Sequence, residues 1–588
     1  MKYIIKDWKY KIFAGLLIVG LFFSGCNKPL DEVKDLSNYP AAGTFDDLNT
    51  VNAYLAALYG STFSGWPVNF GNNADESGTI IASDWVTESN STMRYWPYSI
   101  VRRVNIMLHE LPLGKLSAEA QKPIIAQAKF IRAYLYFNMV KYYGGVPIVQ
   151  TVQTLDEDLK VPRNSTAECF DFMLQDLDEA IANLPIKYSG SDFGRADQAA
   201  ARAFKGRVLL YKASPQFNPS KPYNNAYWQE AYQANLEAKN FLDANGYGLA
   251  TNYTDVFEAA ANKENIFTVV YVAPSKTNGR REDGVRPLSE SKNATGMDQP
   301  IWALAMAYPM KDGKAPNDPT SAYTFDTQHF WENRDPRFAA NLVWNGAVYP
   351  LSGKVGRRQY TMTNIALSVD AFGYVIQGEN HYRTGLYCRK GIQEELTADL
   401  VTNNAIDWPE IRYAEVLFNF AEAANETGHG ADAVLVLKNI RARAGIEPGG
   451  DGMYGLKTAM TTAEIREAIL NEKYIEMCFE GQRFWDLRRL RLLNRLDGMR
   501  KYGIMAMTVN GRAYNQVTPA DVTAANSYAL LPENFTYQVV ELITTGAKQM
   551  VMPDKYSFFP IKLSDIDRNA NLQQNTGWAN GTFDPTLP

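Results

Sequence analysis

Helical periodicity occupies both ends of the chain, while its middle is broken every few residues by turn formers. That change of punctuation limits the fold more than any other feature. In 124–142 the apolar groups Ile131, Tyr134, Leu135 and Phe137 fall on one stripe, the spacing of a helix with a buried face. Ser165 with Glu168 forms the pattern of a reciprocal cap, opening a helix through Leu174, Leu177 and Ile181 that closes near Leu184-Pro185. Alanine-rich 196–213 is another helix, and so is the stretch from Trp228 to Asp243, stopped by Asn245-Gly246. From about 271 to 404, turn clusters such as Asp312-Gly313, Pro316-Asn317-Asp318-Pro319 and Asn333-Arg334-Asp335-Pro336 separate short apolar pieces. Helices resume at 409–427 and 431–444, joined at Gly428 and Gly430, and Thr461 with Glu464 caps a further one expected to reach Gly481. Two helices joined by a tight glycine turn make a helix hairpin of tetratricopeptide type, although no clean 34-residue repeat is present. The expected fold is mainly α: a tetratricopeptide-like helix-pair scaffold with a loop-rich middle region containing short β-strands.

The first 26 residues speak to compartment. Lys2, Lys6, Lys9 and Lys11 precede an apolar run from Ile12 to Phe23, and Ser24-Gly25-Cys26 follows. Basic start, short apolar core and small residues are the parts of a secretory leader, and twelve apolar residues fall short of the ~20 that span hydrocarbon. A cysteine directly after Ser-Gly resembles a bacterial lipobox, with Phe23 in place of the usual leucine. This implies 1–25 as signal peptide, lipidation at Cys26, and a polar tether over 26–45. The formal net charge of −5 gives no basis for a nucleic-acid partner. Four cysteines and four histidines are dispersed, with neither a C-x-x-C pair nor zinc spacing. Gly450-x-Gly452-x-x-Gly455 has the letters of a dinucleotide loop but follows a helix rather than a strand.

Several segments, in order, resemble one known family. They include Arg132-Ala-Tyr134, Tyr143-Gly-Gly-Val-Pro-Ile148 and Asn333-Arg-Asp-Pro-Arg337. Arg412-Tyr-Ala-Glu-Val-Leu417, Ala421-Glu-Ala-Ala-Asn-Glu-Thr-Gly428 and Leu437 through Gly445 follow. The run from Glu472 to Arg488, with Lys473 where arginine is usual, and Phe559-Pro-Ile561 through Trp578 complete the set. Together they are similar to the SusD/RagB outer-membrane nutrient-binding lipoproteins of Bacteroidetes. The resemblance implies a surface-exposed, lipid-anchored, non-enzymatic protein that captures oligo- or polysaccharide. It also implies delivery to a SusC-like TonB-dependent transporter, with peptide as the alternative ligand and no cofactor. The implied segments are an N-terminal SusD-like helical region at 46–270, a ligand-side insertion at 271–404 and a C-terminal helical region at 405–588.

Two residue sets bear on chemistry. Arg412, Glu415, Arg441, Arg443, Glu472, Glu476, Glu480, Arg483, Asp486 and Arg488 are dense in both charges. Two carboxylates ~5–9.5 Å apart would suit glycosidic cleavage, which makes a surface glycoside hydrolase the enzymatic alternative. Ion pairing between helices is the favoured reading, since Glu472, Glu476 and Glu480 share helical spacing. A purely structural adaptor is the third alternative. For sugar capture the tools are aromatic faces beside planar polar groups. The aromatic content of 12% supplies them in two turn-rich regions. Region 62–98 holds Trp66, Asn69, Asn72, Asp75, Trp85, Arg94 and Trp96; region 298–331 holds Trp302, Tyr308, Tyr323 and Trp331. Trp66, Asp75, Trp96, Trp302 and Tyr308 are the expected ligand contacts, Trp66 and Trp96 because Pro67 and Pro97 set them in irregular backbone. Trp408, Trp485 and Trp578 are expected in the core. Asp312-Gly313 and Asn317-Asp318 carry calcium-ligand residue types, but the twelve-residue loop pattern is missing and they are read as surface turns.

Overall fold

The computed structural model describes residues 41–588 other than 68–69, 79–84, 90–92, 259–261, 293, 295, 363–369, 371–382, 509–517, 519, 521–526 and 543–548. The expected leader, Cys26, most of the tether and Asn69 lie outside the described residues. Helix α1 (Leu48–Thr62) begins where the Asp47 carboxylate accepts the N–H groups of Asn49 and Thr50. After α2 (Tyr98–Glu110) comes α3 (Ala118–Tyr143), capped by Ser117. Over its C-terminal half α3 buries residues on all sides, which places it inside a stack of helices rather than on its surface. It ends at Gly144 with φ +75°, where an added Cβ would meet Pro585 at 2.5 Å. Helices α4 (Thr166–Asn183), α5 (Gln198–Ala213) and α6 (Tyr227–Ala244) follow, and the Ser165–Glu168 box closes in both directions.

Strand β1 (Asn265–Val269) leads into the irregular middle, which contains α7 (Trp302–Ala307), α8 (Pro336–Asn341), β2 (Leu342–Val343) and β3 (Tyr387–Cys388). Next come β4 (Trp408–Arg412), α9 (Tyr413–Glu426), α10 (Gly430–Ala444), α11 (Thr462–Glu476), α12 (Arg483–Arg489), β5 (Tyr502–Thr508) and β6 (Phe535–Glu541). The strands form three two-stranded antiparallel sheets, β1–β4, β2–β3 and β5–β6. Helix α3 packs on α4, α4 on α5, α5 on α6, α6 on α9, and α9 on α10 and α11. This is the mainly α, tetratricopeptide-like stack that the periodicity predicts.

Two local expectations change. Residues 408–412 are a strand, with Pro409 opposite Thr268, because pairing with β1 places Trp408, Ile411 and Arg412 in the interior before the helix starts. Helix α11 stops at Glu476 instead of near Gly481. Phe479 turns the backbone with φ +59°, and its N–H reaches the Glu76 carboxylate at 2.9 Å.

Apart from a small group around Ile301 and Leu542, the buried apolar side chains gather in two clusters. The larger joins α1–α6 to β4, α9–α12 and the C-terminal segment; the smaller joins α7, α8, β2, β3, β5, β6 and the end of α11. Buried charge lies beside both. Arg337 on α8 contacts Asp335 at 2.7 Å, Glu472 at 2.6 Å and Glu476 at 2.9 Å. Arg412 on β4 contacts Glu264 at 2.6 Å, Glu476 at 2.9 Å and Glu480 at 2.9 Å. Arg441 pairs with Glu472, Arg443 with Glu264 and Glu476, and Lys390 with Glu480. Five cations thus face five carboxylates, all nearly excluded from water. Ion pairing therefore describes this block apart from Arg488, which donates to backbone carbonyls, and Glu264, Asp335, Arg337 and Lys390 join from outside it. Lys473, which departs from the family pattern, meets Asp486 at 3.0 Å.

Burial by itself would raise the Glu476 carboxyl. The Arg443, Arg412 and Arg337 guanidiniums outweigh it and hold the group well below the ordinary glutamate value of 4.5. A carboxylate depressed on folding stabilises the native state above its unfolded value, and that contribution fades as pH falls toward the folded value. Glu476→Gln should therefore cost about 3–5 kcal/mol at pH 7, because it leaves buried guanidiniums short of a partner. It should also flatten the loss of stability below pH 4.5; urea unfolding of both proteins across pH 3–7 measures each effect.

Candidate functional site

The two turn-rich regions meet. Gly78 N–H donates to the Gln299 carbonyl at 3.0 Å, Ile301 N–H donates to the Glu76 carbonyl at 3.2 Å, and Ser77 bridges to Pro300. Asp75 fastens this junction to the scaffold, its carboxylate accepting from Arg483 Nε and Nη2 at 2.8 and 2.7 Å. Its carbonyl accepts the Tyr474 hydroxyl. Lys501 donates to the Asn72 and Ser77 carbonyls at 3.2 and 2.6 Å. Burial pushes the Glu76 carboxyl up to about 8. Asp75, one of the expected ligand contacts, is thus a strut whose carboxylate is held by Arg483.

Immediately after this junction, α7 begins with Trp302. Its half-buried indole meets Phe330 edge-on at 5.3 Å, and Phe330 in turn meets Trp331 at 5.2 Å and Tyr537 at 5.5 Å. The Trp331 and Trp344 rings are nearly parallel, 6.1 Å apart at 10°, with Tyr537 and His329 edge-on to Trp331 at 5.3 and 5.8 Å. Trp302, His329, Trp331 and Trp344 all keep part of their surface in solvent. The loop carrying Trp331 is held from both sides. Asp326 accepts from Gln328 N–H and pairs with His329 Nδ1, each at 2.8 Å; these two contacts lower its carboxyl pKa. Gln328 exchanges two hydrogen bonds with the backbone of Tyr537 on β6, at 2.9 and 2.8 Å. Rigid, half-exposed indole planes bordered by the exposed Asp326 and Glu332 offer C–H stacking surfaces beside hydroxyl acceptors.

The other expected contacts lie elsewhere. Trp66 is 6% exposed and packs on Trp408 at 4.8 Å and Phe257 at 5.5 Å, with Arg281 over its ring. Its N–H donates to the Ile406 carbonyl at 3.1 Å, so the irregular backbone around Pro67 directs the indole inward. Tyr308 is fully buried, its hydroxyl 3.2 Å from Cys478 Sγ and accepting from Asn341 Nδ2 at 2.9 Å. Neither is a surface platform. Trp96 is half-buried against Tyr98 and Tyr143, on different elements from Trp302. Trp408, Trp485 and Trp578 are core residues, as expected. Trp331 stood in the aromatic middle region, but Trp344, His329 and Tyr537 were missed. Only the Asn345-Gly346 turn after Trp344 hinted at a surface position. The Asp312 and Asp318 carboxylates are occupied by turn hydrogen bonds to 314, 320, 321 and 322.

The SusD family model matches residues 263–578, more than half of the sequence. The chain belongs to the SusD family. A second family model, described as starch-binding associating with outer membrane, matches residues 50–210 of this SusD-family chain. SusD-like protein P2 of Formosa agariphila is 25% identical over 426 residues, covering 69% of this chain and 72% of that protein. A SusD-like protein from Bacteroides fragilis superposes with a TM-score of 0.70 at 25% identity, covering 94% of this chain and all of that one. A SusD-like carbohydrate-binding protein, also from Bacteroides fragilis, superposes equally well at 22% identity, covering 90% and 100%, and shares the fold. Among the described residues no helix is long and apolar enough to cross a membrane.

The inward position of Trp66 yields a direct expectation. A Cβ at Gly391 would come within 2.3 Å of its ring, so the pocket around the indole has no slack. Trp66→Ala should cost about 3–5 kcal/mol in chemical unfolding, while ligand affinity measured on the folded fraction stays at the wild-type value.

Proposed function

We propose that this SusD-family protein captures glycan on the Trp302–Trp331–Trp344 face and passes it to a SusC-like TonB-dependent transporter. In this reading it is anchored at the cell surface through lipidated Cys26. The observation carrying the reading is a set of part-exposed indoles, Trp331 on a loop clamped to β6, Trp302 opening α7 and Trp344 following β2, beside the junction of the two turn-rich regions. Such a surface is pre-organised, so little side-chain freedom is lost when a sugar ring stacks on it. The family description as starch-binding supports the ligand class, and one structural neighbour is itself a laminarin-binding SusD-like protein. The carboxylates of the charge block serve as buried ion-pair partners rather than as an acid–base pair facing a cleft. The protein accordingly acts by binding, without bond cleavage.

The test is affinity electrophoresis and calorimetry on a polysaccharide panel that includes starch and laminarin. Trp331→Ala and Trp302→Ala should each weaken retention about tenfold, the order of one stacking contact plus its buried area. Retention of no polysaccharide by the wild type, or release of shortened oligosaccharides, would refute the proposal.

A further inference from the structure

A pocket between helices lies away from the aromatic face. Helices α3, α5, α9 and α12 and strand β4 surround a cavity of about 290 Å³, bordered on one side by Ser64 and Gly65 after α1. Lys141, in the last turn of α3, borders it. Its amine sits 4.1 Å from the Trp485 ring centroid, 5.6 Å from Phe137 and 6.0 Å from Tyr142. Among the described residues it makes no hydrogen bond or ion pair.

The remaining charges of the wall are already matched. Arg207 on α5 grips Glu415 on α9 at 2.6 and 2.7 Å and the Glu410 carbonyl at 2.8 Å. Glu410 on β4 accepts from the Tyr134 hydroxyl and the Trp408 indole, each at 2.9 Å. Lys473 on α11 holds Asp486, and Glu480 holds Arg412 and Lys390. Behind the wall, Arg488 on α12 donates to the carbonyls of Tyr556, Lys141 and Tyr142. Among the described residues of this wall, Lys141 is left with aromatic rings and no carboxylate against it. Burial first, then Arg207 and Arg488, push the Lys141 amine down to about 7, against the opposing pull of Glu410 and Glu415.

We propose that this cavity binds a small carboxylate carried on a six-membered ring, with the carboxylate on the Lys141 amine and the ring among the aromatic side chains that line the space, Tyr95, Tyr134 and Tyr211. The amine supplies charge and donors, the aromatic lining supplies apolar surface, and the volume admits a single ring. Sugar acids and aromatic acids share this chemistry. The site draws on none of the residues of the aromatic face, so it stands whether or not that face binds glycan.

Calorimetry on the full chain in detergent, with glucuronate and benzoate as probes and glucose and benzyl alcohol as their neutral counterparts, tests it. At least one acid should bind about tenfold or more tighter than its counterpart, the scale of a hydrogen bond to a charged group. Affinity should fall about tenfold between pH 6 and pH 8 as the amine loses its proton. Binding of glucuronate alone assigns a sugar acid, benzoate alone an aromatic acid, and both the shared chemistry. Lys141→Met should abolish binding without moving the thermal transition by more than a few degrees. If that variant does not fold, the NMR signal of isotopically dimethylated Lys141 in the otherwise wild-type chain should shift on adding the acid. Equal binding of acid and neutral counterpart, no binding of either acid, or an unmoved Lys141 signal would overturn the proposal.

Discussion

The buried network around Glu476 and Arg412 is the constraint on which the rest of the architecture depends. It draws partners from α8, β4, α10, α11, the residue preceding β1 and the loop at Lys390, so elements far apart in sequence must arrive together. Ion pairs of this kind add little net stability over well-packed apolar groups, because desolvation offsets much of their attraction. Their leverage is on alternatives. Any packing that removes one member leaves a charge stranded in the interior, a penalty of several kcal/mol. Balanced signs matter for the same reason, since an odd charge would have no water to screen it.

From that network the aromatic face follows by short steps. Helix α11 ends at Glu476, and the turn beyond it brings Phe479 to Glu76 and Cys478 to Tyr308. Those contacts hold the 75–78 and 299–301 segments together, and α7 projects from the second of them. Arg337, locked against Glu472 and Glu476, fixes α8, and β2 and Trp344 continue directly from it. The indoles are therefore held by the same groups that hold the helices. A loop surface gains rigidity here without regular secondary structure of its own, which suits a site that must meet a ligand with little reorganisation.

Family membership and fold agree with this picture. The SusD family model spans the C-terminal half and much of the middle, where the charged network and its partners lie. Loop residues such as His329 and Trp344 follow no general code, so relatives of similar fold are free to differ in what they hold. The Lys141 cavity belongs to the other class of site, formed where helices of the stack fail to close completely.

Much of the scaffold was legible in the sequence. The Ser165–Glu168 and Thr461–Glu464 caps, the α9–α10 hairpin and the pairing role of the charge block rest on interactions within one turn or on helical spacing. Such local terms act wherever the segment finds itself. The strand at 408–412 and the early end of α11 escaped, because each is set by a partner more than a hundred residues away. The site was least legible. Trp66 and Trp302 look alike in sequence, each an indole in a turn-rich segment, yet one rests on Trp408 and the other reaches solvent. The sequence alone settled that helices would form, where the Ser165- and Thr461-capped ones begin, and that opposite charges would pair. Which indole faces water, and which lysine borders the cavity between the helices, was decided only by the tertiary structure, because burial depends on what distant segments bring alongside.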